Sequence, residues 1–134
     1  MWNAVGKRTT ILGLVSWGVP FVVSFLFFDQ TGKLMPPEPL FKSLMVVVFG
    51  ALGCVLFVAP FRKIPPSLRT GLGIGCYWLV MNLLLDLLIL VPMVHMAVQE
   101  YAFDIGIRYL LIPIIGATIG IVAERSGRAS GPTR

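Results

Sequence analysis

The residues best able to do chemistry in this chain are few, and they sit in apolar surroundings. Trp78, Asn82 and Asp86 recur at intervals of four, so on a helix they line one face. A carboxylate and an amide sharing a face inside a membrane can bind a cation, relay a proton or tie one helix to another. Asp104 and Arg108 repeat the same spacing further along, and a guanidinium fork matches a carboxylate. Two readings of Asn82, Asp86, Asp104 and Arg108 stay open. In the first, Asp86 and Arg108 form a staple that fixes the register of two helices. In the second, Asp86 changes protonation as an ion or proton site and Arg108 modulates it.

Other chemistries find little support. His95 is the only histidine, and no cysteine or carboxylate stands near it at ligand spacing, so no metal or bis-histidine haem is expected. Ser16, Ser24 and Cys76 have no base placed to activate them. Gly71, Gly73 and Gly75 resemble a phosphate loop only superficially, since no strand precedes them and no Gly-Lys-Ser/Thr follows. They read as a flexible start to a helix. Cys54 and Cys76 lie in apolar runs and make no metal motif. The expectation is a protein with no catalytic residues, no cofactor and no metal, and not an enzyme.

The elements that must position the polar set are set by composition. Apolar residues are 57% of the 134 and charged residues 13%, a balance far from that of soluble domains. As a water-soluble molecule it would be covered in apolar patches. Crossing about 30 Å of hydrocarbon takes about 20 apolar residues as a helix. Four runs qualify: 10–28, 43–61, 71–93 and 105–123. They show no sustained alternation, which argues against a β-barrel. The first run is too long for a cleaved signal peptide and has no small-x-small site before Asp29. The predicted fold is an all-α, four-helix transmembrane bundle over residues 1–125, with a polar, disordered tail over 126–134.

Between the spans, Asp29-Gln30-Thr31-Gly32 reads as a turn, and Pro36, Pro37 and Pro39 keep the next stretch extended. Ile64-Pro65-Pro66-Ser67 does the same before the third span, with Ser67 as a helix cap. Pro20 and Pro113 each remove a backbone hydrogen bond and should bend helices one and four. There is no internal repeat of the inverted-transporter kind. Trp2, Trp17, Trp78, Tyr77, Tyr101 and Tyr109 are mostly near predicted helix ends and read as interface anchors.

Basic residues set the orientation. Eight (Lys7, Arg8, Arg62, Lys63, Arg69, Arg125, Arg128 and Arg134) fall on one side, against Lys33 and Lys42 on the other, with Arg108 aside. Both termini are therefore expected in the cytoplasm, the protein residing in the inner or plasma membrane. The net charge of +5 is scattered over loops and tails, without the basic face of a nucleic-acid binder.

A depth argument pairs the intramembrane charges. Asp86 lies about 10 Å below the outer end of helix three, and Arg108 about 5 Å into helix four. Consecutive helices are normally neighbours, and an extended arginine bridges the difference. An Asp86–Arg108 pair follows, with Asp104 as a competing acceptor. Gly116 and Gly120 form a G-x-x-x-G on helix four, which lets another backbone approach, either from within the chain or from a partner. Gly50, Ala51 and Gly53 give helix two a similar small face.

With these residues laid out, the chain resembles a family of small, uncharacterised prokaryotic four-helix membrane proteins. The likeness runs from Trp17 to Asp29, from Leu40 to Met45, from Tyr77 to Asp86 and from Asp104 to Leu110. Its most specific part is Trp-x3-Asn-x3-Asp followed by Gly-x-Arg-Tyr. The resemblance implies a compact module in its own right and brings no function with it.

Four short helices leave little interior for a substrate cavity. The functional expectation is therefore a non-catalytic accessory or scaffold subunit, partnered by the bilayer and by other membrane subunits or copies of itself. The rival is a small ion- or proton-coupled transporter using Asn82, Asp86 and Arg108.

Overall fold

The computed structural model of the chain describes residues 2–131, with side chains from residue 6 onward. The side chain of Trp2 and the whole of Arg134 lie outside the described residues. Helix α1 runs Trp2–Phe25, α2 Glu38–Phe61 and α3 Leu68–Leu85. A π-helical turn, Asp86–Leu90, continues α3 into a short α4, Val91–Val94. Then come α5, Val98–Asp104, a 3-10 turn over Gly106–Leu110, and α6, Leu111–Ala129. Among the described residues there is no strand, only an isolated bridge between Phe28 and Leu34. Four stretches are long and apolar enough to cross a membrane: Gly6–Phe25, Glu38–Phe61, Leu68–Val94 and Gly106–Ala129.

Several boundaries differ from expectation for local reasons. Helix α2 starts five residues early because Pro39 falls in its first turn, where a missing N–H costs nothing. Pro113 likewise falls in the first turn of α6, so it starts that helix instead of bending its middle, whereas α1 runs through Pro20. Helix α6 continues to Ala129, carrying Ser126 to Ala129 out of the expected disordered tail. The Glu124–Arg128 ion pair at 2.5 Å supports that extra turn. Ser67 does cap α3, its hydroxyl accepting from the Thr70 N–H at 3.0 Å. The Asp29 turn also forms, with Gly32 at φ 80° and the Asp29 carboxylate accepting from both the N–H and the hydroxyl of Thr31.

Packing is densest between α3 and α6. A Cβ on Gly75 would lie 2.5 Å from Pro113 Cα, and one on Gly116 would lie 2.5 Å from the Gly71 carbonyl oxygen. A Cβ on Gly120 would run into the Ser67 carbonyl. The Gly116/Gly120 face is thus consumed within the chain, meeting a second small face, Gly71 and Gly75, on α3. Those two glycines are contact residues and not a flexible helix start. Trp78, Phe57 and Ile112 form the buried core, with the Phe57 and Trp78 rings 4.4 Å apart. Gly13 of α1 leaves room for the Trp78 indole, whose Cδ1 would meet a Cβ there at 2.8 Å. Outside this core the surface is apolar: Leu26 and Leu88 are 74% exposed and Val55 69%.

The glycine contact makes a sharp prediction. Gly75→Ala should destabilise the bundle by about 1–3 kcal/mol through overpacking. Gly73→Ala, two residues away with nothing within 4 Å of its Cβ position, should be neutral or slightly stabilising. Unfolding in detergent micelles, followed by circular dichroism, separates the two; equal effects would contradict the contact.

Candidate functional site

Helix α3 brings Trp78, Asn82 and Asp86 to one inward face, and all three are buried. At Asp86 the helix widens. The Val91 N–H donates to the Asp86 carbonyl, five residues back, and such π turns are frequent at functional sites. His95, at φ 55° in the left-handed region, ends the segment. The chain then doubles back through α5 and the 3-10 turn, which carry Tyr101 and Tyr109 over the Asp86 carboxylate.

Three neutral donors hold that carboxylate. Trp17 Nε1 of α1 donates to Oδ1 at 2.6 Å. Tyr101 donates to Oδ2 at 2.9 Å and Tyr109 at 2.6 Å. Asp86 is 1% exposed. Burial, followed by the hydrogen bond to Asp86, pushes the Tyr101 phenol well above its ordinary range, so it stays a neutral donor. A carboxylate offers about four lone-pair positions, and these bonds use three.

The Asp86–Arg108 pair does not form. Among the described residues Asp86 has no ion-pair partner. Asp104 pairs with Lys42 of α2 at 2.9 Å, and Lys42 also reaches Glu38 at 2.5 Å. The depth argument assumed a regular α3 followed by a short loop. Instead a π turn, α5 and a 3-10 turn intervene, and they present Tyr109 to Asp86 in place of its neighbour Arg108. A neutral donor also avoids desolvating a second charge. Lys42 holds the Asp104 carboxyl below the usual carboxylate range.

Next to Asp86 the polar chain continues. Asn82 Nδ2 donates to the Trp78 carbonyl at 2.7 Å and to Ser16 Oγ at 3.3 Å, and Ser16 donates to the Gly13 carbonyl at 2.6 Å. Asn82 Oδ1 is buried with no partner among the described residues. Trp78 Nε1 donates to the Thr9 carbonyl at 2.9 Å. The interface-anchor reading therefore fails for Trp78 and Tyr101, which are buried, and the partly buried Trp17 and Tyr109 spend their polar ends on Asp86. The half-exposed Tyr77, sharing a 2.9 Å hydrogen bond with Thr10, fits it better. The missed signal was available: Trp17 lies mid-span, and a lone membrane carboxylate needs donors.

Asp86 also lines a cavity of about 880 Å³, contrary to the expectation of little interior space. Its walls come from α1, α2, the α1–α2 turn, the end of the third span and α5. Arg108 and Asp104 line it too. Among the described residues, no three His, Cys, Asp or Glu side chains converge to hold a metal.

Replacing Trp17 or Tyr109 by Phe should each cost about 1.5–3 kcal/mol, the range for hydrogen bonds to a charged group. Tyr77→Phe should cost much less, and denaturant titration in micelles measures all three. The Lys42–Asp104 contact has a defined pH window. Because the folded Asp104 pKa is depressed, its contribution is fully present above the unfolded value of about 3.9 and is lost only as pH falls through the lower folded value. The stability difference between the native chain and Asp104→Asn should hold from neutral pH down to that range. A difference that fades near neutrality would exclude the contact.

Comparison with protein-family models, with curated proteins and with solved structures finds no match. The four long apolar helices agree with a small membrane protein, while the prokaryotic family suggested by the sequence pattern gains no support.

Proposed function

We propose that the chain is an integral protein of the cell membrane with both termini cytoplasmic, acting as a small proton-linked carrier whose working site is the cavity lined in part by Asp86. The exposed apolar belt on four long helices supports the membrane placement, and the eight-to-two split of basic residues supports the orientation. The carrier reading rests on one observation: a cavity of about 880 Å³ is lined in part by a buried carboxylate held only by neutral donors.

That cage suits a proton switch. Trp17 can only donate, so Oδ1 remains an acceptor in both states. The tyrosine hydroxyls can turn. When Oδ2 carries a proton, it donates to one tyrosine oxygen while the other tyrosine keeps its bond to Oδ2, and the first hydroxyl turns its hydrogen toward the cavity. One proton then changes the charge of the cavity lining by a full unit without dismantling the cage. The π turn beside Asp86 and the left-handed His95 offer backbone positions about which the re-entrant segment can shift.

The accessory-subunit reading loses its main sequence support, since the Gly116/Gly120 face is spent on α3. It retains the uncovered apolar face of α2, including Val47, Val55 and Val58, which lipid would cover equally well.

Infrared spectroscopy of the protein in lipid tests the switch. The Asp29→Asn/Asp104→Asn variant, grown with isotope-labelled aspartate, leaves Asp86 as the sole labelled carboxyl. A labelled carboxylic C=O band should grow reversibly as pH falls, and Asp86→Asn should abolish it while still accumulating in the membrane. A band that never titrates, or an Asp86→Asn chain that disappears from the membrane, would leave only a structural staple.

A further inference from the structure

The chain carries a formal charge of +5, yet its few acidic residues are gathered in one place. Of six in total, five line the cavity: Asp29, Glu38, Asp86, Glu100 and Asp104. The cations lining it are Lys42 and Arg108, so five carboxylates against two cations leave a formal charge of −3. Lys42 is already shared between Glu38 and Asp104. The remaining basic residues of the spans and turns, Arg62, Lys63 and Arg69 among them, line no part of it.

From this, and on the reading of the cavity as a working site, we infer that its ligand is a hydrophobic organic cation: a protonated amine or onium group carried on an apolar body. The acids are spread along the cavity and do not converge, which suits a diffuse organic charge better than a metal ion needing several oxygens within bonding distance. Asp86 has one lone-pair position left and no cationic side chain opposing it. A charge in water-excluded surroundings rewards an opposite charge strongly. The walls supply the apolar half of the recognition. Trp17 stacks on Phe21 at 4.7 Å, and Phe21 meets Phe25 edge-on at 5.1 Å. Aromatic faces attract onium groups. The volume of about 880 Å³ falls in the range of organic-ligand sites. An anion would meet a lining whose net formal charge is negative. A neutral acyl chain would bring no counter-charge to the net negative lining.

Binding and protonation then compete for the same oxygens. A cation entering the ionised cage finds its counter-charge. Protonation of Asp86 removes that counter-charge, so acidification should release the ligand.

The test uses the full chain in nanodiscs of uncharged phosphatidylcholine, with empty discs subtracted. Radiolabelled tetraphenylphosphonium is the probe, and tetraphenylborate, of the same shape and opposite charge, is the control. Saturable binding of the cation and none of the borate is expected. Affinity should weaken as pH falls, and Asp86→Asn should lower it about tenfold or more and flatten its pH dependence. Should Asp86→Asn not accumulate, Glu100→Gln at the rim takes its place. It should weaken binding about threefold at low ionic strength, with the loss erased by salt. Comparable binding of both probes would mean an apolar, lipid-filled groove and would overturn the inference, as would unchanged affinity in both variants. No binding of the phosphonium, with the infrared titration of Asp86 intact, would remove the ligand class and leave the proton switch standing. Charge-selective binding without that titration would do the reverse.

Discussion

A carboxylate buried at the junction of three helical segments, with no cation beside it, is the constraint around which this structure is arranged. Asp86 is answered by an indole from α1, a phenol from α5 and a phenol from the 3-10 turn. Each donor comes from a different part of the chain, so satisfying one side chain fixes where α1 and the re-entrant segment sit on α3. Removing Asp86 from water is costly, and the cost is met by hydrogen bonds to groups that are cheap to bury. All three bring aromatic surface that gains from leaving water, Tyr101 most completely.

The other half of the bundle obeys a simpler rule. Gly71 and Gly75 face Gly116, Gly120 and Pro113, and the backbones of α3 and α6 meet where side chains would clash. In lipid, association gains little from the hydrophobic effect, so close van der Waals contact must supply it. That tight seam has a consequence at the other side of the molecule. No residue of α6 lines the cavity. Trp17 and Phe21 of α1 and Phe41 and Phe49 of α2 are among the side chains that line it. Small residues close the α3–α6 face of the bundle, and aromatic residues line the cavity on the other.

Much of this was legible in the residues. The four spans followed from hydropathy alone, because hydrocarbon requires a run of fixed length. The shared face of Trp78, Asn82 and Asp86 followed from spacing, and Ser67 and the Asp29 turn from local chemistry. The site was half legible. Asp86 was identified as the group needing a partner, but the partner was sought among charges. A depth argument assumes a uniform rise per residue, and the π turn that begins at Asp86 breaks that assumption at the residue where it matters. Tyr101 sat in what read as a loop, and no periodicity marks a re-entrant helix of seven residues. Gly71 and Gly75 carry the same G-x-x-x-G spacing as Gly116 and Gly120, yet an interleaved third glycine, Gly73, disguised the pair as a flexible run. Cavity volume depends on how four helices diverge, and no single helix encodes that.

The identity of the donors also decides what kind of site this can be. Had Arg108 reached Asp86, the pair would be permanent, because a guanidinium keeps its charge at any physiological pH and parting it from a buried carboxylate strands both. Such a pair holds a register and does little else. Tryptophan and tyrosine impose no such lock. They hold the carboxylate through hydrogen bonds that bring no second charge beside it. Nearby, the true ion pairs of Lys42 with Glu38 and Asp104 sit at the partly exposed rim, where water screens them and parting costs less. The ion pairs thus sit where water reaches them, and the carboxylate without a cation sits where neutral donors surround it.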